Sequence, residues 1–331
     1  MSGDTWTFAH VTDHHLGTPR SYRFRPTMAR RWEGIRRQII AHEPDLLLVG
    51  GDVTLDGDTH EFEYQNTRED LDALPFPSFV IPGNMDVGNK HTRVDSPRED
   101  RCDIVLNMTS HRLALFASYF GPITWTFTHR GVRFSGFYAA VAGSGLPGEE
   151  RFWRFLDHLT ELPPARLHVA MMHYWPYIDD PDEPTWDITD PGQYLPWYFS
   201  IDQPHRARLL EGLQAAGVTD LLCGHVHTGR PVERVGEMRI HKTPAAGNTA
   251  QMTNRWEEIE TRQGFQLCKV GEDEITMTFV PAEDQSPVDD AWGPGGHPRL
   301  QERDYSLARE HPPLAPDPWL VGEGEAPGTQ L

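Results

Sequence analysis

Leu46-Leu47-Leu48-Val49-Gly50-Gly51-Asp52 decides how the chain is to be read. Four apolar residues after Asp45, closed by two glycines, predict a short strand buried on both faces, as at the centre of a parallel sheet. The glycines allow a sharp turn and a close approach. The Asp52 carboxylate therefore falls at the carboxyl end of a central strand, where open α/β sheets bind their ligands.

Toward the N-terminus, residues 6–11 predict a first strand that runs directly into Thr12-Asp13-His14-His15. Met28, Trp32, Ile35 and Ile39 then recur at i, i+4, i+7 and i+11, the stripe of an amphipathic helix crossing from one strand to the next. Toward the C-terminus the unit repeats: a helix near 58–71, a strand over 78–81, and the turn Pro82-Gly83-Asn84-Met85-Asp86. Residues 87–109 show no clear period and read as a long loop. Residues 124–127 and 132–137, separated by His129-Arg130-Gly131, predict a hairpin. A helix starts at Glu149 and Glu150, with Phe152, Phe155, Leu156 and Leu159 on its apolar face, and a strand over 167–172 ends at His173.

Asp202-Gln203-Pro204 predicts a helix start with a capping carboxylate, and Gly217 its end. The strand over 219–223 leads into Gly224-His225-Val226-His227, and short strands near 231–235, 238–243, 265–270 and 275–280 are expected to close a second sheet. From 281 to 331 the composition changes to nine prolines, six glycines and ten acidic against three basic residues. The expectation is one domain over 1–280 followed by an extended or partly disordered acidic tail.

With 331 residues the chain is long enough to bury a full core. Its 30 basic and 49 acidic residues give a net charge of -19, which disfavours long duplex nucleic acid as a partner. Cys102, Cys223 and Cys268 form no CxxC pair, so free thiols in a reducing compartment are expected. Trp6 follows the first residues with no signal-peptide pattern between, and no run reaches the roughly 20 apolar residues of a membrane span. A cytoplasmic protein without a membrane partner is the expectation.

Five predicted strand ends carry side chains able to bind a metal: Asp13 and His15, Asp52, Asn84, His173, then His225 and His227. Parallel strands bring such ends to one edge of a sheet. Carboxylate, imidazole and amide oxygen together suit iron, manganese or zinc.

In order and spacing these motifs resemble the calcineurin-like metallophosphoesterases, whose signature is DxH, GD, GNxD, a single His and GHxH. They stand here as Asp13-His14-His15, Gly51-Asp52, Gly83-Asn84-Met85-Asp86, Met172-His173 and Gly224-His225-Val226-His227, within a match covering about residues 6–245. The resemblance implies a four-layer α/β/β/α sandwich with two metal ions at the carboxyl ends of its strands. Asp13, His15 and His227 would hold the first ion, Asn84, His173 and His225 the second, and Asp52 would bridge them. It also implies hydrolysis of a small phosphomonoester or phosphodiester with a metal-bound hydroxide as nucleophile, Asp52 and Asn84 being catalytic positions. A scaffold that kept the fold without catalysis, and a nuclease, are the alternatives.

One position departs from the commonest pattern. Many members place a His after the Asn, whereas this chain has Met85, and a thioether cannot donate a proton at useful strength. His14 is the candidate substitute. Arg20, Arg23 and Arg25 form a basic loop suited to phosphate oxygens. An insertion over 174–203 leaves the strand end beside His173. Residues 174–199 of it hold eight aromatics and six carboxylates with no Lys or Arg. It is expected to wall the pocket through Trp175, Trp186 and Trp197 and to favour a cationic or flat organic group.

Overall fold

The computed structural model describes residues 5–99 and 102–309. Strands and helices alternate through the first part of the chain: β1 (Trp6–Val11), α1 (Pro26–Ala41), β2 (Leu47–Val49), α2 (Glu61–Asp72), β3 (Ser78–Val80) and the single turn α3 (Asn84–Val87). Then come α4 (Ser110–Phe120), β4 (Trp125–His129), β5 (Val132–Gly136), α5 (Pro147–Glu161) and β6 (Leu167–Met171). They are followed by α6 (Tyr194–Phe199), α7 (His205–Ala215), β7 (Asp220–Cys223), β8 (Glu233–Val235), β9 (Met238–Lys242), β10 (Gly264–Val270) and β11 (Ile275–Pro281).

These strands form two sheets, ordered β11-β10-β1-β2-β3 and β4-β5-β6-β7-β9-β8. β1, β2 and β3 run parallel, as do β5, β6, β7 and β9. Side-chain alternation explains why the sheets stack between helices. Trp6 and Phe8, Leu46 and Leu48, Val132 and Phe134, and Val169 and Met171 meet in a core between the sheets. Their neighbours Ala9, Val11, Leu47, Val49 and Ala170 point outward into a second core shared with Trp32, Ile35 and Ile39 of α1 and Phe152, Leu156 and Leu159 of α5. The result is the α/β/β/α sandwich that the motifs implied. Among the described residues no helix is long and apolar enough to cross a membrane.

The structure adds to or corrects the reading at four places. Helix α4 was not anticipated. Its signals are local: the Thr109 hydroxyl accepts from Arg112 N at 3.2 Å as an N-cap, and Leu113 and Phe116 are its buried face. The last four strands divide, β8 and β9 extending the second sheet while β10 pairs with β1 of the first. Asp202 does not cap α7. Its carboxylate instead takes a hydrogen bond from Lys90 Nζ at 2.8 Å.

The fourth addition concerns the stretch after 281. Its described part, 282–309, is seated on α1 and on the loop before it. Arg31, buried on α1, donates to the backbone oxygens of Asp284, at 2.8 Å, and of Ser286 and Gly247. Arg25 Nη1 donates to Asp289 O at 2.7 Å, Trp292 N to Phe24 O at 2.6 Å, and Arg20 Nε to Leu307 O at 3.2 Å. Proline and glycine content pointed to an extended segment. It could not show that backbone carbonyls would be taken up by arginines elsewhere. Residues 310–331 lie outside the described residues.

Burial makes one histidine of β6 a pH sensor of stability. His168 Nδ1 donates to Ala216 O at 3.1 Å, and its Nε2 lies 2.8 Å from the Ser135 hydroxyl. Burial lowers its pKa from 6.5 to about 4. Because the folded value lies below the unfolded one, its contribution is complete above pH 6.5 and is lost as pH falls toward 4. Over that interval the wild type should lose stability faster than His168→Gln by about 1.4 kcal/mol per pH unit in urea titrations. Parallel curves would contradict this.

Candidate metal centre

The chain turns abruptly at three of the five strand ends that carry candidate ligands. Asp13 (φ 57°), His15 (52°), Asp52 (48°), His225 (71°) and His227 (62°) all occupy the left-handed region, where residues other than glycine are uncommon. Such strain persists where surrounding structure enforces it and clusters at functional sites. Gly51 (φ 96°) permits the closest approach. A Cβ there would stand 2.7 Å from His173 Nδ1 and 2.8 Å from Gly83 N.

These turns, with the ends of β3 and β6, bring seven buried side chains to one place. Asp13 Oδ1 lies 3.3 Å from His227 Nε2 and 3.9 Å from the Nε2 atoms of His15 and His173. Asp52 Oδ2 lies 3.3 Å from His173 Nε2 and 3.7 Å from His15 Nε2. His173 Nε2 is also 3.3 Å from Asn84 Oδ1, and the Nε2 atoms of His15 and His227 face each other at 3.1 Å. Two groups emerge that could hold an ion: Asp13, His15, Asp52 and His227, and Asp52, His173 and His225. Asp52 is common to both.

Surrounding hydrogen bonds aim these atoms inward. His173 Nδ1 donates to Gly50 O at 2.8 Å, and His227 Nδ1 to Thr249 O at 2.9 Å, which leaves Nε2 of each toward the cluster. His225 is held by the other nitrogen, Nε2 donating to Tyr198 O at 3.1 Å. Asn84 Nδ2 donates to the Tyr198 hydroxyl at 2.7 Å and to Asn89 Oδ1 at 3.0 Å, directing its amide oxygen at His173. Asp86 ties the turns together: Oδ2 accepts from Gly83 N at 2.8 Å and Oδ1 from Thr54 N at 3.0 Å.

The donor set fits a cation. Asp13 Oδ1 is buried without a hydrogen-bond donor, and so is His15 Nδ1. Burial works to raise the Asp13 and Asp52 carboxyls, yet the facing histidines outweigh it and hold both below the ordinary range. The reciprocal effect appears on the rings. Burial would lower His173, but Asp52 and Asp13 raise it to about 9, and Asp13 raises His227. The carboxylates demand positive charge at these nitrogens, which protons or a metal can supply, and a metal would displace the protons.

A cavity of about 290 Å³ opens on this cluster. Its walls include His15, Asp52, Asn84, His225 and His227 on the metal side, with Arg23, Arg25, Arg98, Asn248 and Gln251 around them. Met28, Leu55, Met85, Leu195 and Phe199 supply apolar surface, and Tyr194 and Tyr198 the phenols.

Several expected residues are elsewhere. His14 packs its ring against Trp32, 4.4 Å between centroids, and is not in the wall, because β1 ends with His14 facing α1 while Asp13 and His15 face the site. Arg20 lies over Phe62 at 4.3 Å and is also outside the wall. Arg23 does line the cavity but is paired through two N–H groups with Asp56.

The insertion supplies a wall through different residues from those expected. Trp175 is buried beside Trp256, Trp197 beside Tyr194, and Trp186 donates to Glu183 Oε1 at 3.1 Å. None lines the cavity, whereas Tyr194, Leu195, Tyr198 and Phe199 of α6 do. Its carboxylates are turned away as well. Asp179 binds Arg255 and Trp256, Glu183 binds Arg206, and Asp187 and Asp190 close their own turns. The expected attraction for a cationic group loses its basis. Tyr198, which touches both Asn84 and His225, had no sequence signal beyond being one aromatic among eight.

Two back-to-back sheets between helices, with Asp and His side chains gathered at the ends of parallel strands, make this a metallophosphoesterase architecture. The chain belongs to the calcineurin-like phosphoesterase family, whose model matches residues 7–229. No curated protein matches it in sequence. Among solved structures it is similar to purple acid phosphatase PPD1 from yellow lupin (Lupinus luteus), with 12% identity and a TM-score of 0.60 over 87% of this chain and 53% of that one. It is also similar to a dimetal phosphatase from Danio rerio, with 12% identity and a TM-score of 0.51 over 86% and 98%. A third is GAP50, the anchor in the inner membrane complex of Plasmodium, with 15% identity and a TM-score of 0.51 over 92% of each. At these identities the likeness is one of fold.

Tyr198→Phe removes the hydroxyl that orients Asn84 and keeps the ring. It should weaken binding of manganese to metal-free protein roughly tenfold in calorimetric titration, with thermal unfolding little changed. Unaltered affinity would assign the phenol to packing alone.

Proposed function

We propose that the chain is a dinuclear-metal-dependent phosphoric ester hydrolase acting on a small phosphomonoester or phosphodiester. The position of Asp52 in both candidate ligand groups is the observation that carries this reading. Asp13, His15 and His227 would hold one ion, Asn84, His173 and His225 the other, and Asp52 would serve both. Iron, manganese or zinc suits the mixture of carboxylate, imidazole and amide oxygen. When bound, such a pair supplies Lewis acidity, making water a better nucleophile and drawing charge from a phosphoryl oxygen. The Met85 backbone N–H donates to Asp52 Oδ1 at 2.8 Å, fixing that carboxylate's orientation. Three unpaired cysteines are in keeping with a reducing, cytoplasmic setting.

The Plasmodium anchor of similar fold offers a second reading, a protein-interaction scaffold. It would leave two buried ligand groups, and the strained backbone that presents them, with nothing to do.

Chelation to exhaustion should abolish hydrolysis of an activated phosphoester, and manganese, iron or zinc should restore it. Asp52→Asn should lower turnover by at least about a hundredfold, since a neutral amide bridges two cations poorly. Full turnover by metal-free protein would refute the mechanism.

Met85 makes a separate expectation. Among the described residues, and apart from the candidate ligands, the wall offers only phenols and guanidiniums as proton donors, both poorly matched to neutral pH. Rates should therefore fall steeply as leaving-group pKa rises, and Met85→His should flatten that dependence. A flat dependence in the wild type, measured where chemistry limits the rate, would mean that another group supplies the proton.

A further inference from the structure

Three guanidiniums gather at the cavity before the candidate metal centre. The whole chain carries a net charge of -19, yet Arg23, Arg25 and Arg98 line this cavity, with Asp52 the one carboxylate among its described lining residues. The three guanidiniums are held differently. Arg23 is neutralised by Asp56. Arg98 lies 5.4 Å over the Tyr194 ring. Arg25 is half-buried and donates from Nη1 to the backbone oxygen of Asp289 at 2.7 Å, with no carboxylate at ion-pair distance among the described residues.

A carbonyl positions a guanidinium without neutralising it. The backbone around Arg25 is itself pinned: Trp292 N donates to Phe24 O at 2.6 Å, and Thr27 N to Asp289 Oδ2 at 3.2 Å. The cost of ordering this side chain is thus largely met before any ligand arrives. Its remaining N–H donors form a planar fork that matches a carboxylate or a phosphate.

Charge arithmetic indicates what the fork awaits. Two divalent cations exceed the carboxylates of Asp13 and Asp52 by two charges, and a hydroxide nucleophile together with the single charge of a phosphodiester balances that excess. The Arg25 charge is then left without a counterpart in a partly enclosed site, where an unmatched charge is costly.

We infer that Arg25 is a subsite for a second anionic group, a carboxylate or a further phosphate, on the organic part of the substrate; the inference rests on the phosphoester reading above. The substrate class is an ester with a short apolar or flat body ending in an anion, the body meeting Met28, Leu55, Leu195 and Phe199. Arg98 lines the same cavity.

The test uses non-hydrolysable probes on the manganese-loaded full chain, with dissociation constants read by calorimetry. Alkylphosphonates of two to six carbons are compared with ω-carboxyalkylphosphonates and α,ω-bisphosphonates of the same lengths. In the wild type one doubly anionic series should bind at least tenfold tighter than its alkyl counterpart at its best length, and the winning series names the second anion. Arg25→Met should bring that ratio toward one. Arg25→Lys, which keeps the charge and loses the fork, should leave it intermediate. A wild-type ratio near one, or a ratio that survives Arg25→Met, would overturn the subsite. The wild-type ratio remains decisive should Arg25→Met not fold. Failure of every phosphonate, the simple alkyl series included, to bind the loaded protein would instead overturn the phosphoester reading, and the subsite with it.

Discussion

Two carboxylates, Asp13 and Asp52, are buried almost completely at one point, and among the described residues neither is paired with a lysine or arginine. Burying such charge without a counter-charge costs several kcal/mol per group, so the surroundings must answer it. Four imidazoles and an amide do so. The left-handed backbone at five of these positions and the close pass at Gly51 are the local consequences. The carbonyls of Gly50, Tyr198 and Thr249 then choose which nitrogen of each of three rings faces the cluster.

The sandwich converts sequence-distant residues into this cluster by topology. β1 and β2 lie side by side in one sheet, β6 and β7 in the other, and all four end at the same edge. Because the inter-sheet core and the helix-facing cores use alternate residues of these strands, a shift of register by one residue would turn apolar side chains from one core to the other. Stability and site geometry thus depend on the same alternation. The cavity wall is different. Arg25, Arg98, Leu195 and Asn248 stand on loops and the short α6, the parts of a fold that vary most freely and set specificity.

What could be read from the sequence divides along that line. Strands β1, β2 and β6, the helices α1 and α5, and the gathering of the seven candidate ligands were legible, since apolar period and strand-end motifs are local and parallel pairing brings such ends together. The His14 ring could have been placed by the same alternation, because Asp13 and His15 flank it on the other face. The insertion could not. Its aromatic and acidic composition suggested a cation-seeking lid, but Asp179 and Glu183 are matched to Arg255 and Arg206, partners far along the chain that composition cannot pair. The contacts of the segment after 281 were not legible for a related reason: low apolar content says nothing about carbonyls that Arg25 and Arg31 will bind.

The account stands on Asp52 serving two ions at once. The most direct measurement is metal-edge anomalous diffraction from crystals of the manganese-loaded protein, together with elemental analysis of the same sample. Two metal ions per chain, with an oxygen of Asp52 in contact with both, is the predicted result. A single ion, or two ions of which Asp52 touches only one, would contradict it.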